Sequence, residues 1–256
     1  MNTSHPIIEV RNLELSYDDF PVLHQLNFKV NKGDIFIVMG GSGCGKSTLL
    51  KGLTGLLEPK KGKVLYGGKS FWDAGNAHRH AIMRTFGVLY QGGALWSSLT
   101  LWENVALPLQ LHSKLSAAEI REMAELKLAL VGLRGYAEFY PAEISGGMRK
   151  RAGLARAIAL DPQIIFFDEP SAGLDPVNAK MLDDLIIELR DTFDSTIVVI
   201  THELASIFAV GNNSVFLDDA TRTMIAAGNP RDLLENSGDP KVIRFLTRGE
   251  KKGAKE

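Results

Sequence analysis

The sequence holds a single cysteine in 256 residues. Cys44 has no internal partner for a disulfide, which fits a reducing cytosol. No apolar run approaches the ~18–20 residues needed to span a bilayer, so any path through a membrane would have to be built by other chains. There is no excess of either charge: 29 basic and 30 acidic residues leave a formal net charge of −1. Such a balance gives the surface as a whole no pull toward nucleic acid. The start, Met1 to Pro6, lacks the basic-then-apolar pattern of a signal peptide, and no internal repeat is visible.

What is present is ordinary in bulk and specific in detail. Apolar residues make up 45% and charged residues 23%, the balance of a soluble globular protein with ample core for one large domain or two small ones. Residues 7–17 read as a strand at an early sheet edge, with 25–30 as its partner. Residues 35–39 form a continuous apolar run, as in a strand buried on both faces. A helix is expected from Lys46 to about 57, then a basic turn at 60–63 leading into 64–66. Ser116 with Glu119 matches a capping box and starts a helix to about 131, closed by Gly132. The pattern stays helical to about 160, so residues 92–160 look like a helical insert between strands. Beyond it come a strand at 164–167, a helix at 178–192, a strand at 196–200 and a hairpin of 215–217 with 223–227. Asn229 and Pro230 pair as N-cap and N1 of a C-terminal helical region.

The run Gly40, Gly41, Ser42, Gly43, Cys44, Gly45, Lys46, Ser47, Thr48 fits G-x-x-x-x-G-K-[ST] between a predicted strand and a predicted helix. Glycines let backbone N–H groups approach phosphate, and the helix start adds partial positive charge. Lys46 would reach the β- and γ-phosphates and Ser47 would ligate Mg²⁺. Asp168 ends an apolar strand and can hold Mg²⁺ through water, and Glu169 is the candidate general base. Ser145, Gly146 and Gly147 open a helix whose two glycines would cost it stability unless bare N–H groups are wanted there. One chain needs one γ-phosphate site, so this second anion site suggests a partner's nucleotide. His202, just past a buried strand, can bond a γ-phosphate. Gln91 ends a candidate strand and can touch Mg²⁺. Tyr17 can stack on adenine or serve as an ordinary edge aromatic. His78 and His80 read as surface residues.

In this order the motifs resemble the ATPase subunit of an ATP-binding-cassette (ABC) transporter, over about residues 7–246. The resemblance implies an α/β fold: a P-loop NTPase ABC cassette with a mostly parallel core sheet, an N-terminal antiparallel β-subdomain and a helical insert. It implies one domain over 1–248 and a charged tail at 249–256. It makes Gln91 the Q-loop glutamine, residues 144–148 the signature, 171–175 with Asp175 the D-loop, and His202 the switch histidine. It implies ATP and Mg²⁺ as cofactors, and a head-to-tail homodimer in which each ATP meets Lys46 of one chain and Ser145 of the other. Glu169, His202, Lys46 and Gln91 are then the catalytic set, and Ser47, Gln91 and Asp168 the metal set. One departure stands in the signature, where Met148 replaces the usual glutamine and loses a polar contact in the closed dimer.

Ser145, Gly146, Gly147 and Met148 with Arg151 and residues 155–159, together with residues 91–95, 131–135 and 239–242 and Phe245 with Leu246, are similar to ATPases of MCE-associated, Mla-type phospholipid transporters. That implies an integral permease, an accessory cytoplasmic subunit, a periplasmic MCE-type lipid-binding protein, no nucleic acid, and a peripheral place on the cytoplasmic face of the bacterial inner membrane. Residues 92–112, with Leu95, Trp96, Leu99, Leu101 and Trp102, sit where such ATPases dock a permease, or else pack the insert. Other cargo (amino acid, lipoprotein or drug), a soluble ABC-type ATPase acting on nucleic acid, and a non-catalytic ATP switch remain as rivals.

Overall fold

A computed structural model describes residues 6–73 and 75–249. Most of the expected start and tail segments, at 1–5 and 250–256, therefore lie outside the described residues. The chain divides into two compact units, one made of the residues up to Arg79 and from Val198 onward, the other of His80–Ile197.

In the first unit, β1 (Ile8–Tyr17) pairs antiparallel with β2 (Phe20–Val30). β3 (Ile35–Gly40) and α1 (Lys46–Thr54) follow, then β4 (Lys61–Tyr66) and β5 (Lys69–Ser70). The antiparallel sheet runs β2-β1-β4-β5. β1 is therefore an interior strand, which corrects its expected place at an edge. Its polar positions misled: Glu9 and Glu14 stay beside lysines of the neighbouring strands, Lys29 and Lys61. The expected basic turn at 60–63 is also corrected, since Lys61, Gly62 and Lys63 belong to β4. Gly62 is what lets them: a Cβ there would lie 2.2 Å from the Asn12 carbonyl oxygen, so the two strands cross at contact distance. Beneath this sheet Leu13, Leu15, Leu23 and Leu26 are fully buried, each stabilising by about 1.5–3 kcal/mol. α1 stops short of the expected residue 57 because Gly55, at φ 87, terminates it in the left-handed conformation.

The later part of the same unit holds β9 (Asn213–Asp218), parallel to β3, and β10 (Thr223–Ala227), antiparallel to β9. Val198–Ile200 of β8 (Thr196–Ile200) flanks β3 on its other side. All six residues of β3 are buried. Three short helices complete the unit: α7 (Leu204–Val210), α8 (Pro230–Asn236) and α9 (Pro240–Leu246). Asn229 caps α8 by accepting from the Arg231 N–H at 2.9 Å, as its sequence implies.

α2 (Asn76–Met83) leads into the second unit, where β6 (Phe86–Leu89) is parallel to β7 (Ile164–Asp168), with the start of β8 beyond β7. Between them lie α3 (Leu101–His112), α4 (Ala117–Leu130) and α5 (Gly146–Ala157), and after β7 comes α6 (Pro176–Phe193). The Ser116–Glu119 capping box is present, and Gly132 takes φ 72 just past α4. α3 has its own capping box, Thr100 with Glu103, obscured in the sequence by the internal Pro108 and an apolar surround. The expected helix through 132–145 is corrected: that stretch is turns plus one 3₁₀ turn at Pro141–Glu143. Gly87 lets α5 pack directly on β6, since a Cβ there would lie 2.0 Å from the Ala157 carbonyl oxygen.

Candidate active site

The first unit holds the glycine-rich loop. Gly40 ends β3 at φ 150, and Gly43 and Gly45 follow at φ 78 and 97. Only glycine fits at Gly40, where a Cβ would stand 2.4 Å from the Leu217 carbonyl oxygen and 2.8 Å from Cys44 Sγ. At Gly41 and Gly43 a Cβ would meet nothing within 4 Å, so the loop keeps open space on that side. α1 begins with no side-chain cap and no acidic residue in its first turn. Its first N–H groups are thus left for an anion, which suits phosphate.

Lys46 is 8% exposed, and its ammonium donates to the carbonyls of Gly40 at 2.9 Å and Gly41 at 2.8 Å. The charge is thereby stored within the loop. Cys44 lies 3.8 Å from it, and burial pushes the Cys44 thiol above its ordinary pKa. Ser42 and Ser47 are exposed, while Thr48 is buried. Tyr17 is 42% exposed, and its hydroxyl accepts from Lys51 Nζ at 2.9 Å. That bond holds the phenol below its usual pKa, with Thr48 adding to the effect. Tyr17 is thus tied to the same helix that starts at the loop. His202 follows buried Thr201, whose N–H donates to the Val38 carbonyl of β3 at 3.2 Å. Its ring is 53% exposed and stands 3.8 Å from a Glu203 carboxylate oxygen.

The second unit holds the remaining residues. β6 and β7 run parallel with Leu89 opposite Phe167, so Tyr90 and Asp168 leave the sheet side by side. Burial and the Asp168 charge raise the Tyr90 pKa. Gln91 comes next and is exposed, while Asp168 and Glu169 are half-buried. Glu169 takes φ 47, a left-handed conformation that costs a non-glycine residue about 1–3 kcal/mol and clusters at functional sites. The Ala172 N–H closes the following turn onto the Glu169 carbonyl at 3.2 Å.

Ser145 caps α5, its hydroxyl accepting from the Met148 N–H at 3.2 Å. Ser145 and Gly146 are exposed. Gly147 faces Asn178 and Leu174, where a Cβ would make only ordinary contacts at 3.5 and 3.7 Å. Asp175 caps α6, accepting from the N–H groups of Val177 and Asn178 at 3.1 Å each, and the Asn178 side chain holds it below its usual pKa. Sequence reasoning missed Lys51 and Asn178, which hold Tyr17 and Asp175 in place; only tertiary contact reveals Lys51, 34 residues from Tyr17. It also missed Asn104, which is fully buried and ties Trp96, Leu99 and Thr100 to α3 through four hydrogen bonds.

The apolar stretch at 92–112 sorts cleanly. Leu101 is buried and Trp102 is half-buried beneath the Arg121 guanidinium at 4.4 Å. Trp96 is 63% exposed. It borders a groove of about 620 Å³ within the second unit, lined also by Phe86, Leu107, Pro108 and Leu111. Among the described residues, no helix is long and apolar enough to cross a membrane.

A wholly buried strand that runs into a left-handed glycine loop and an uncapped helix defines a P-loop nucleotide-binding cassette. The ABC transporter family model matches residues 23–172. The chain belongs to the ABC transporter family. It is 41% identical over 239 residues to the probable ribonucleotide transport ATP-binding protein mkl of Mycobacterium tuberculosis, covering 93% of this chain but 66% of that protein. The chain thus spans somewhat under two thirds of that relative's length. It is 39% identical over 247 residues to the intermembrane phospholipid transport system ATP-binding protein MlaF of Haemophilus influenzae, covering 96% of this chain and 92% of that one. Its fold matches the dimeric post-hydrolysis structure of the ATP-binding cassette MJ0796 bound to ADP and Pi. That match has a TM-score of 0.79 and 28% identity, over 87% of this chain and 98% of that one. The antiparallel N-terminal sheet, the parallel-rich core strands and the helical insert are all those of the cassette.

Proposed function

We propose that this chain is the ATP-hydrolysing subunit of a membrane transporter that moves phospholipid between bacterial envelope membranes. The observation that carries the ATPase part is the loop itself: open glycines, an uncapped helix start, and Lys46 parked on the Gly40 and Gly41 carbonyls, ready to exchange them for phosphate oxygens. In this reading residues 1–248 act as one cassette, with 92–160 as its helical insert. Tyr17 stacks on adenine, and the N–H groups of Gly41, Ser42, Gly43, Cys44, Gly45, Ser47 and Thr48 surround the phosphates. The exposed Ser47 hydroxyl, Gln91 and Asp168 are the oxygen ligands that suit Mg²⁺, a hard cation. When bound, Mg²⁺ neutralises charge on the β- and γ-phosphates. Glu169 orients and deprotonates the attacking water, and His202 bonds the γ-phosphate. A second copy, head to tail, supplies Ser145, Gly146 and Gly147 to the same phosphate, with Asp175 closing the turn beside them. Dimeric MJ0796 supports that assembly.

Exposed Trp96 and its groove are the docking face for an integral permease. In this reading the chain lies peripherally on the cytoplasmic face of the inner membrane, with an accessory cytoplasmic subunit and a periplasmic MCE-type lipid-binding protein as further partners. Phospholipid is favoured over ribonucleotide as cargo because the MlaF likeness covers 92% of that relative, whereas the mkl likeness leaves a third of its length unmatched. The test is purification through this chain from detergent-solubilised membranes. A co-purifying permease with bound phospholipid is the expected result, and a complex carrying nucleotide-type cargo instead would overturn the lipid assignment.

A further inference from the structure

The helix that opens at Ser145 carries a lysine with no part in the scheme above. Lys150 lies one turn along α5 and is 7% exposed. Its ammonium donates to the carbonyl of Pro170 at 2.7 Å and to that of Ala172 at 2.5 Å. Both carbonyls belong to the turn that follows Glu169. Burying an ammonium is unfavourable unless its N–H groups find acceptors, so this lysine is bound to the turn as firmly as the turn is to it. Burial lowers its pKa and the nearby Glu169 charge opposes that shift, which sets the two charges close together. Glu169 itself stands at φ 47, a conformation that persists only where the surroundings over-determine it. The Ala172-to-Glu169 backbone bond closes the turn at 3.2 Å, and Lys150 adds two bonds from a charged donor to the same turn.

We propose that Lys150 is a positioning residue for Glu169: it clamps the Glu169–Ala172 turn to the first turns of α5 and so fixes where the carboxylate stands. The inference rests on the reading of Glu169 as the general base. It also gives α5 a double task. The same helix presents Ser145 at its start and holds the Glu169 turn from its side, so a shift of one moves the other.

The test compares Lys150→Met, similar in size but without donors, with Lys150→Arg, which keeps them. Both are measured in the transporter assembly purified from detergent-solubilised membranes. Lys150→Met is expected to lower kcat about tenfold, toward the low end of what a lost charged hydrogen bond removes, with KM for ATP within about twofold. Lys150→Arg should restore most of the rate. Hydrogen exchange at the Ala172 amide should be about tenfold faster in Lys150→Met, with the β3 amides unchanged, because only the local turn opens. Should Lys150→Met fail to fold, Lys150→Gln, whose shorter amide does not span both carbonyls, is read in the same way. Wild-type kcat and exchange in the variant would overturn the inference alone. So would a fall in kcat matched by a rise in KM and a loss of thermal stability, which is what a merely structural lysine gives. A wild-type assembly that does not hydrolyse ATP would instead overturn the ATPase reading, and the inference with it.

Discussion

Replacing Gly40 and Gly41 in turn by alanine separates folding from phosphate binding in adjacent residues. At Gly40 the backbone sits at φ 150, where an L side chain is strained by about 1–3 kcal/mol. The added Cβ would also press to 2.4 Å from the Leu217 carbonyl oxygen, a backbone atom of β9 that cannot swing away. Overpacking of that kind adds about 1–3 kcal/mol. The sum, about 2–6 kcal/mol, should lower Tm by about 4–24 °C at about 2–4 °C per kcal/mol for a chain of this size. At Gly41 the added Cβ would meet nothing within 4 Å, so stability should change by no more than about 0.5 kcal/mol. Yet the open space there is what the phosphates would fill, and Gly41→Ala should weaken ATP binding at least about tenfold, or about 1.4 kcal/mol. Thermal unfolding followed by calorimetric titration with ATP reads both quantities. Equal losses of Tm in the two variants, or unchanged ATP affinity in Gly41→Ala, would refute the reasoning.

Glu169→Gln removes the proposed base but keeps the turn, so it should bind ATP, accumulate as a dimer on size exclusion and lose at least about 100-fold in turnover; brisk hydrolysis by this variant would strip Glu169 of its proposed role. Trp96→Glu puts a charge on the exposed groove, and it should leave Tm and ATP affinity unchanged while abolishing co-purification of the permease. Asp218 is held at about 2, from an ordinary 3.8, chiefly by the hydrogen bond from Lys241. A folded-state pKa below the unfolded one stabilises above the unfolded value and is lost as pH falls through the folded one. The stabilisation should therefore be complete above about pH 4 and disappear toward pH 2, and Lys241→Met should move the acid-unfolding midpoint to higher pH in circular dichroism.

The parts of this molecule that were legible in its sequence are those whose chemistry is local. The Ser116 and Glu119 pair caps α4 because both residues lie within one turn. Strand β8 falls where its uninterrupted apolar run does, because a strand buried on both faces needs no partner to be read. The glycine loop is visible for the same reason, since its left-handed positions require a residue type and not a neighbour. β1 misled because its alternation describes one face of a sheet and is silent on how many strands flank it. The basic residues 60–63 misled because the feature that makes them a strand, Gly62 against Asn12, joins positions 50 apart in the chain.

The site follows the same division. Lys46, Ser145, Asp168 and Glu169 are each announced by adjacent residues, whereas the lysines that bond Tyr17 and the turn after Glu169 are not. Lys51 reaches Tyr17 across 34 positions, and Lys150 reaches Pro170 and Ala172 across 20 and 22. Neither lysine stands out in a chain with 29 basic residues. Chemistry at a phosphate demands particular side chains at short spacing, so it writes a motif. Orientation of those side chains demands only a donor at the right point in space, which any element can provide. A motif therefore points to the residues proposed to react, while the left-handed Glu169 turn and its buried lysine, joined only in the folded chain, are the proposed means of keeping the carboxylate in place.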